Sequence, residues 1–135
     1  MNSRFKHWKF PIIKEGKLTK YNWIVQHKKN LVLGKHTDIG TFTYINAKNG
    51  VVIEDNVQIS SHCSIYSVST IDHREGKVTL KKNCCIGTHS VIMPGVTVGE
   101  NAVVGAFSFV NKDIPADTVA FGIPVRIAKR KGKKR

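Results

Sequence analysis

An all-β chain wound as a solenoid of six-residue units is the fold that the sequence predicts, and three observations predict it. Leu80, Ile86, Ile92, Val98, Val104 and Val110 recur six residues apart without a slip. Two residues before each stands a small or apolar side chain: Val78, Cys84, Ser90, Val96, Ala102 and Ser108. Glycine follows at Gly87, Gly99 and Gly105. A period of six is neither 3.6 nor two, so neither a single helix nor a single hairpin explains it. A unit of fixed length that buries one aliphatic per repeat is a coil stacked on itself.

The same phase runs upstream through Leu33, Ile39 and Ile45, then through Ile53, Ile59, Ile65 and Ile71. The step from Ile45 to Ile53 is eight and that from Ile71 to Leu80 is nine, which predicts two bulges or loops. Each buried aliphatic contributes roughly 1.5–3 kcal/mol, enough in a long stack to offset the ordering of a short chain. The expected organisation is an N-terminal cap at 1–30, hexapeptide-repeat coils at 31–111 with a loop at 71–78, and a C-terminal extension at 112–135.

The net charge of +13 is unevenly placed. Residues 1–36 hold nine Lys/Arg and one acid, and residues 126–135 hold seven Lys/Arg and no acid. The coils between carry a net −2. They show no basic stripe interleaved with aromatics and no recognition motif, so no specific nucleic-acid partner is expected. No apolar run reaches membrane-spanning length. Cys63, Cys84 and Cys85 form neither a disulfide framework nor a zinc spacing. Cys63 and Cys84 fill the small inward slot and read as reduced core residues, so a cytoplasmic location is expected.

In chain order, residues 1–30 lack the phase and carry Phe5, Trp8, Phe10, Tyr21 and Trp23. They read as a cap on the open solenoid end, which would otherwise expose unpaired strand edges. Within the coils, taking only hexads in unbroken register, the residue three places after each aliphatic is His36, Phe42, Asn56, His62, Val68, Asn83, His89, Gly95, Asn101 or Phe107. Gly, Asn and His predominate, the types that tolerate positive φ at a sharp corner. His36, His62 and His89 therefore have a structural reason. His73 has no such reason in the repeat. It lies in the out-of-register stretch from Ile71 to Lys77, where a bulge can aim a side chain outward. Pro115 is expected to end the ladder. A short apolar strand at Thr118–Phe121 and a cationic tail, Lys129–Arg135, complete the chain.

The stretch from Cys85 to Gly99, continued by Val104-Gly105-Ala106, Asn111-Lys112-Asp113-Ile114-Pro115 and Gly122-Ile123-Pro124-Val125-Arg126, resembles the maltose, galactoside and xenobiotic O-acetyltransferase branch of the hexapeptide-repeat acyltransferases. The resemblance covers about residues 31–130. It implies a left-handed parallel β-helix, a homotrimer, and acetyl-coenzyme A lying in a groove between subunits. It implies His73 as general base, a role that suits an imidazole of ordinary pKa about 6.5. It implies Asn46 as an acceptor-holding residue. Ala106 matches a position facing the pantetheine, and Lys112 and Arg126, with Lys129 a weaker candidate, match positions near the coenzyme's phosphates.

The sequence also departs from that branch. Cys85 stands where an aromatic is frequent, the cap differs, and the loop is shorter with one histidine. These departures favour a nucleotide-linked or lipid-linked sugar of a surface polysaccharide over maltose or galactoside, with a hydroxyl or an amine as the group acylated. Two other readings remain: a γ-carbonic-anhydrase-like metalloenzyme drawing on His62, His73 and His89, and a binding solenoid without catalysis.

Overall fold

The computed structural model describes residues 6–130, and the basic tail beyond Arg130 lies outside the described residues. Three walls of short parallel strands follow from the hexad pattern. The first face stacks β1 (Ile24–Gln26), β4 (Tyr44–Asn46), β7 (Ser64–Tyr66), β12 (Val91–Ile92) and β15 (Phe109–Val110). The second stacks β2 (Leu31–Leu33), β5 (Val51–Ile53), β10 (Val78–Leu80) and β13 (Thr97–Val98). The third stacks β3 (Asp38–Ile39), β6 (Gln58–Ile59), β11 (Cys85–Ile86), β14 (Val103–Val104) and β16 (Thr118–Phe121), and is edged by the antiparallel β17 (Arg126–Arg130). Equivalent aliphatics stand in register, as in Ile45 on Ile65 and Leu33 on Ile53. The core is one column of such residues, with Ile45, Ile53, Ile65, Leu80 and Ile92 fully buried.

The small inward slot behaves as the pattern predicts, with Val78, Cys84, Ser90 and Ala102 at 0% exposure. Burial pushes the Cys63 and Cys84 thiols up from their ordinary pKa. A buried thiol of raised pKa is a poor nucleophile. In folded protein, a thiol-reactive dye is therefore expected to label the half-exposed Cys85 at once and the other two only after denaturant. Labelling of all three at the same fast rate would contradict this packing.

Nine of the ten corner positions have positive φ, among them the bulky Phe42 and Phe107 at 62° and 60°. Val68 is the exception, because the chain leaves the solenoid there. The extra residues after Ile45 form a turn closed by Gly50 N donating to Ala47 O, with Gly50 at φ 99°.

The larger interruption departs from the expectation. Ile71 is 95% exposed rather than buried with the hexads. The chain leaves the wall at β8 (Val68–Ser69), turns through Thr70–His73 and returns along β9 (Arg74–Glu75) as an antiparallel hairpin. The coil resumes only at β10, so the excursion begins at Val68 instead of Ile71. Gly76 makes this return possible: a Cβ there would stand 2.9 Å from the Gly95 Cα.

Both ends of the solenoid extend past the repeat. Strand β1, inside the segment read as a cap, already stacks on β4 with Val25 fully buried. Ile114 bridges to Val98 just before Pro115, and beyond the proline β16 adds in parallel to β14. Pro115 therefore does not end the ladder as expected: the chain turns after it and resumes pairing at Thr118. Antiparallel β17 then covers the β16 edge, removing a template for edge-to-edge pairing.

At the other end Glu15 ties the cap to the first coil. Its carboxylate accepts from the backbone N–H of His27 at 2.7 Å and of Lys28 at 2.8 Å. Those two bonds hold the Glu15 carboxyl below the usual carboxylate range, the Lys28 bond most. The folded pKa is thus depressed, so the contribution is present above the unfolded value of about 4.5 and lost as pH falls through the folded value. Glu15→Gln should flatten that acid limb in melts run across pH 3–6, and an unchanged limb would refute it.

Candidate active site

The hairpin is fastened to the coil below it by one buried serine. Ser67 Oγ donates to Asn46 O at 2.7 Å and accepts from Asn49 N at 2.9 Å, while Gly76 N donates to Ser67 O at 2.9 Å. The bulge carrying Asn46 and the hairpin carrying His73 are therefore one hydrogen-bonded unit. The Asn46 side chain is held on both sides: its Nδ2 donates to Tyr44 Oη at 3.2 Å, and its Oδ1 accepts from Lys48 N at 3.1 Å. Tyr44 and Tyr66 stand with ring centroids 5.6 Å apart, so Asn46 lies against a tyrosine wall on the outside of the first face.

His73 is exposed at the last position of the hairpin turn. Its φ is 57°, so the left-handed conformation that accounts for the corner histidines applies to His73 as well. The expectation that no backbone reason exists for His73 is corrected on this point. Its position still differs: the corner rings lie along the solenoid edge, whereas His73 stands on a two-stranded arm away from it.

The candidate residues do not meet within one protomer. Asn46 ends β4, and the His73 hairpin and Lys112 follow β7 and β15, so all three lie towards the edge between the first and second faces. Ala106 lies on another edge, between β14 and β15, where the third face passes into the first. Arg126 pairs with Phe121 at that same edge, and Lys129 pairs with Val119 further back on the third face. All of Ala106, Lys112, Arg126 and Lys129 are exposed. Gly87 fixes the backbone at Ala106: a Cβ on Gly87 would come 2.5 Å from the Ala106 N.

Ala106 also adjoins a feature that the hexad pattern does not announce, an aromatic ladder along its edge. His62 and His89 stack with centroids 4.7 Å apart and planes 3° from parallel, and Phe107 continues the stack on His89 at 4.9 Å. Phe42 meets His62 edge-on at 5.5 Å. Thr88 Oγ1 lies 2.9 Å from His89 Nδ1 and holds that ring in the column. Stacked face to face, the two imidazoles do not converge on a common point, and His73 belongs to a different edge. Among the described residues no three His, Cys, Asp or Glu stand close enough to hold a metal ion.

Ser67, Tyr44 and Tyr66 are the other site residues that sequence reasoning misses. Ser67 carries a signal, since it follows Ile65 at the spacing Ala47 follows Ile45, but the hexad phase reads straight on through it to Ile71.

Comparison with known proteins agrees with this architecture. The family described as bacterial transferase hexapeptide (six repeats) matches residues 77–112. A galactoside O-acetyltransferase of Escherichia coli (strain K12) is 37% identical over 109 residues, which span 70% of this chain and 54% of that protein. The chain thus spans about half the length of the curated relatives it matches. A solved galactoside acetyltransferase in complex with coenzyme A superposes with a TM-score of 0.78 at 27% identity, covering 90% of this chain and 66% of the other. AntD, an N-acyltransferase from Bacillus cereus solved in complex with dTDP and 3-hydroxybutyryl-CoA, superposes with a TM-score of 0.60 at 28% identity, covering 84% and 71%. The repeat, the three parallel walls and these relatives agree: the chain is a left-handed parallel β-helix whose residues 77–112 match the bacterial transferase hexapeptide family, and it is similar to the galactoside O-acetyltransferases.

Proposed function

We propose that this chain is an acetyl-coenzyme A-dependent transferase that acetylates a hydroxyl or amino group of a nucleotide-linked or lipid-linked sugar, in the building of a surface polysaccharide. The observation that carries the reading is the hairpin, which presents the exposed His73 and is tied through Ser67 to the backbone of Asn46 and Asn49. His73 takes the proton of the acceptor hydroxyl as its oxygen attacks the thioester carbonyl, and the thiolate of coenzyme A leaves and is protonated. Asn46 offers an amide beside two tyrosines, a surface suited to sugar hydroxyls. The relatives support both acceptor chemistries, one being an O-acetyltransferase of galactosides and the other an N-acyltransferase solved with dTDP.

The residues assigned to donor and acceptor lie on two edges, so the proposal includes a homotrimer whose groove joins the His73 edge of one subunit to the Ala106 edge of the next. Three free thiols accord with a reducing, cytoplasmic setting. No helix among the described residues is long and apolar enough to cross a membrane.

Thiol release from acetyl-coenzyme A across a panel of amino- and hydroxy-sugars tests the activity. Release that no acceptor stimulates would sink it. Lys112→Ala and Arg126→Ala should each weaken coenzyme A binding about fivefold at low salt, an exposed charge-assisted contact being worth about 1 kcal/mol after screening. Raised salt should shrink the difference. Dissociation constants equal to wild type for both would remove them from the phosphate site.

A further inference from the structure

A separate cleft opens between the cap and the third face. It has a volume of about 780 Å³, within the roughly 300–1,000 Å³ usual for small-molecule sites. The irregular segment from His7 to Lys14, the loop from Leu18 to Trp23, and Thr37–Ile39 at the start of β3 enclose it. It therefore sits at the β3 end of the third face, while the hairpin leaves from the edge between the first and second faces. It takes no part in the activity proposed above and does not rest on that reading.

The cleft is more than the cap's own packing. Of the cap's aromatic side chains, Trp23 is packed into the core, at 2% exposure. Yet Phe10 at 59%, Ile12 at 81%, Leu18 at 55% and Tyr21 at 52% exposure all line this one concavity. Exposed apolar groups gathered in one place mark a contact surface rather than scatter. The wall is fixed, too. Trp8 Nε1 donates to Thr37 O at 2.7 Å, and Trp8 meets Phe10 edge to face at 4.8 Å.

Charge narrows the ligand. Lys9, Lys14 and Lys20 rim the cleft, and Asp38 is the one carboxylate among its lining residues. Shape narrows it further. Trp8 and Phe10 cross at 70° and Lys20 Nζ lies 5.3 Å from the centroid of Tyr21, so these rings present no parallel pair to sandwich a nucleobase. Pro11, Ile12, Leu18 and Ile39 supply aliphatic surface instead. A concave site also suits one chain better than it suits a membrane plane, which needs protruding anchors.

We propose that this cleft binds a single-chain anionic amphiphile, an acyl or prenyl chain lying along Phe10, Ile12 and Leu18 with its phosphate or carboxylate among Lys9, Lys14 and Lys20.

The only two tryptophans of the chain, Trp8 and Trp23, both line the cleft and give a direct readout. Dodecyl phosphate, titrated into the full chain below its micelle concentration, should shift their emission saturably, with calorimetry giving the same dissociation constant. Leu18→Glu should weaken binding roughly tenfold or more, as expected for losing an apolar contact that the bound chain would cover and adding a like charge. Lys14→Glu and Lys20→Glu should each weaken it several-fold. All three side chains are exposed, so melting temperatures should stay at wild type and separate lost binding from lost folding.

Neutral dodecyl maltoside should bind more weakly, and inorganic phosphate should leave the emission unchanged. The proposal is overturned if dodecyl phosphate gives no saturable signal, if the three variants bind as wild type does, or if dodecyl maltoside binds as tightly. It is equally overturned if only a nucleoside diphosphate saturates the site, or if only anionic lipid vesicles bind and the monomeric alkyl phosphate does not.

Discussion

His73→Asn is expected to lower kcat by roughly 10²–10⁴-fold on a hydroxyl acceptor, with coenzyme A affinity unchanged, as when a general base is lost. Asparagine is the informative replacement because His73 has φ 57°, a conformation asparagine adopts far more readily than alanine does. A fall in rate then reports lost chemistry and not a collapsed hairpin. His73→Ala should show the same fall plus a small loss of stability. The corner histidines supply the contrast. His62→Asn and His89→Asn keep the corner conformation and should keep turnover, losing about 1 kcal/mol of stability where their stacked rings part. An amine acceptor should show a smaller loss, since a neutral amine gives up its proton only after attack. Wild-type turnover in His73→Asn together with a dead His89→Asn would transfer the catalytic role to the ladder.

The walls and corners are legible because burial and backbone conformation act on every unit alike. An inward aliphatic every sixth residue, and a left-handed corner three places later, leave the same trace from Leu33 to Phe107. The trace misleads at the hairpin. Ser67-Val68-Ser69-Thr70-Ile71 continues the hexad pattern by composition, yet Val68 begins a two-stranded arm and Ile71 is turned to solvent. Spacing alone carries no sign of inside or outside once the wall is left. The ladder is hidden for a related reason. Phe42, His62, His89 and Phe107 fall on one edge only after both interruptions have been counted into the coil. The distribution of the site is hidden as well, since the identities of Asn46, His73 and Ala106 come from resemblance, whereas their separation on two edges belongs to the stacked coils.

That separation gives the second large effect. If the groove joins the His73 edge of one subunit to the Ala106 edge of its neighbour, two inactive variants should rescue one another. Ala106 is exposed, so Ala106→Trp should fold while filling the groove beside Gly87 and Phe107. Alone, Ala106→Trp blocks every groove from the Ala106 side, and His73→Asn disables every groove from the hairpin side. In a trimer assembled from equal amounts of both, a groove works when the Ala106→Trp subunit supplies the hairpin and the His73→Asn subunit supplies the other edge. In a closed ring with random mixing that is about a quarter of all grooves. Unfolding the two variants together and refolding them should therefore raise activity from near background to about a quarter of wild type, one interface in four being intact. Refolding each alone should give nothing. A mixture no more active than its parents, with light scattering showing that mixed trimers had formed, would place donor and acceptor on a single subunit. Light scattering showing an active wild-type monomer would exclude the shared groove altogether.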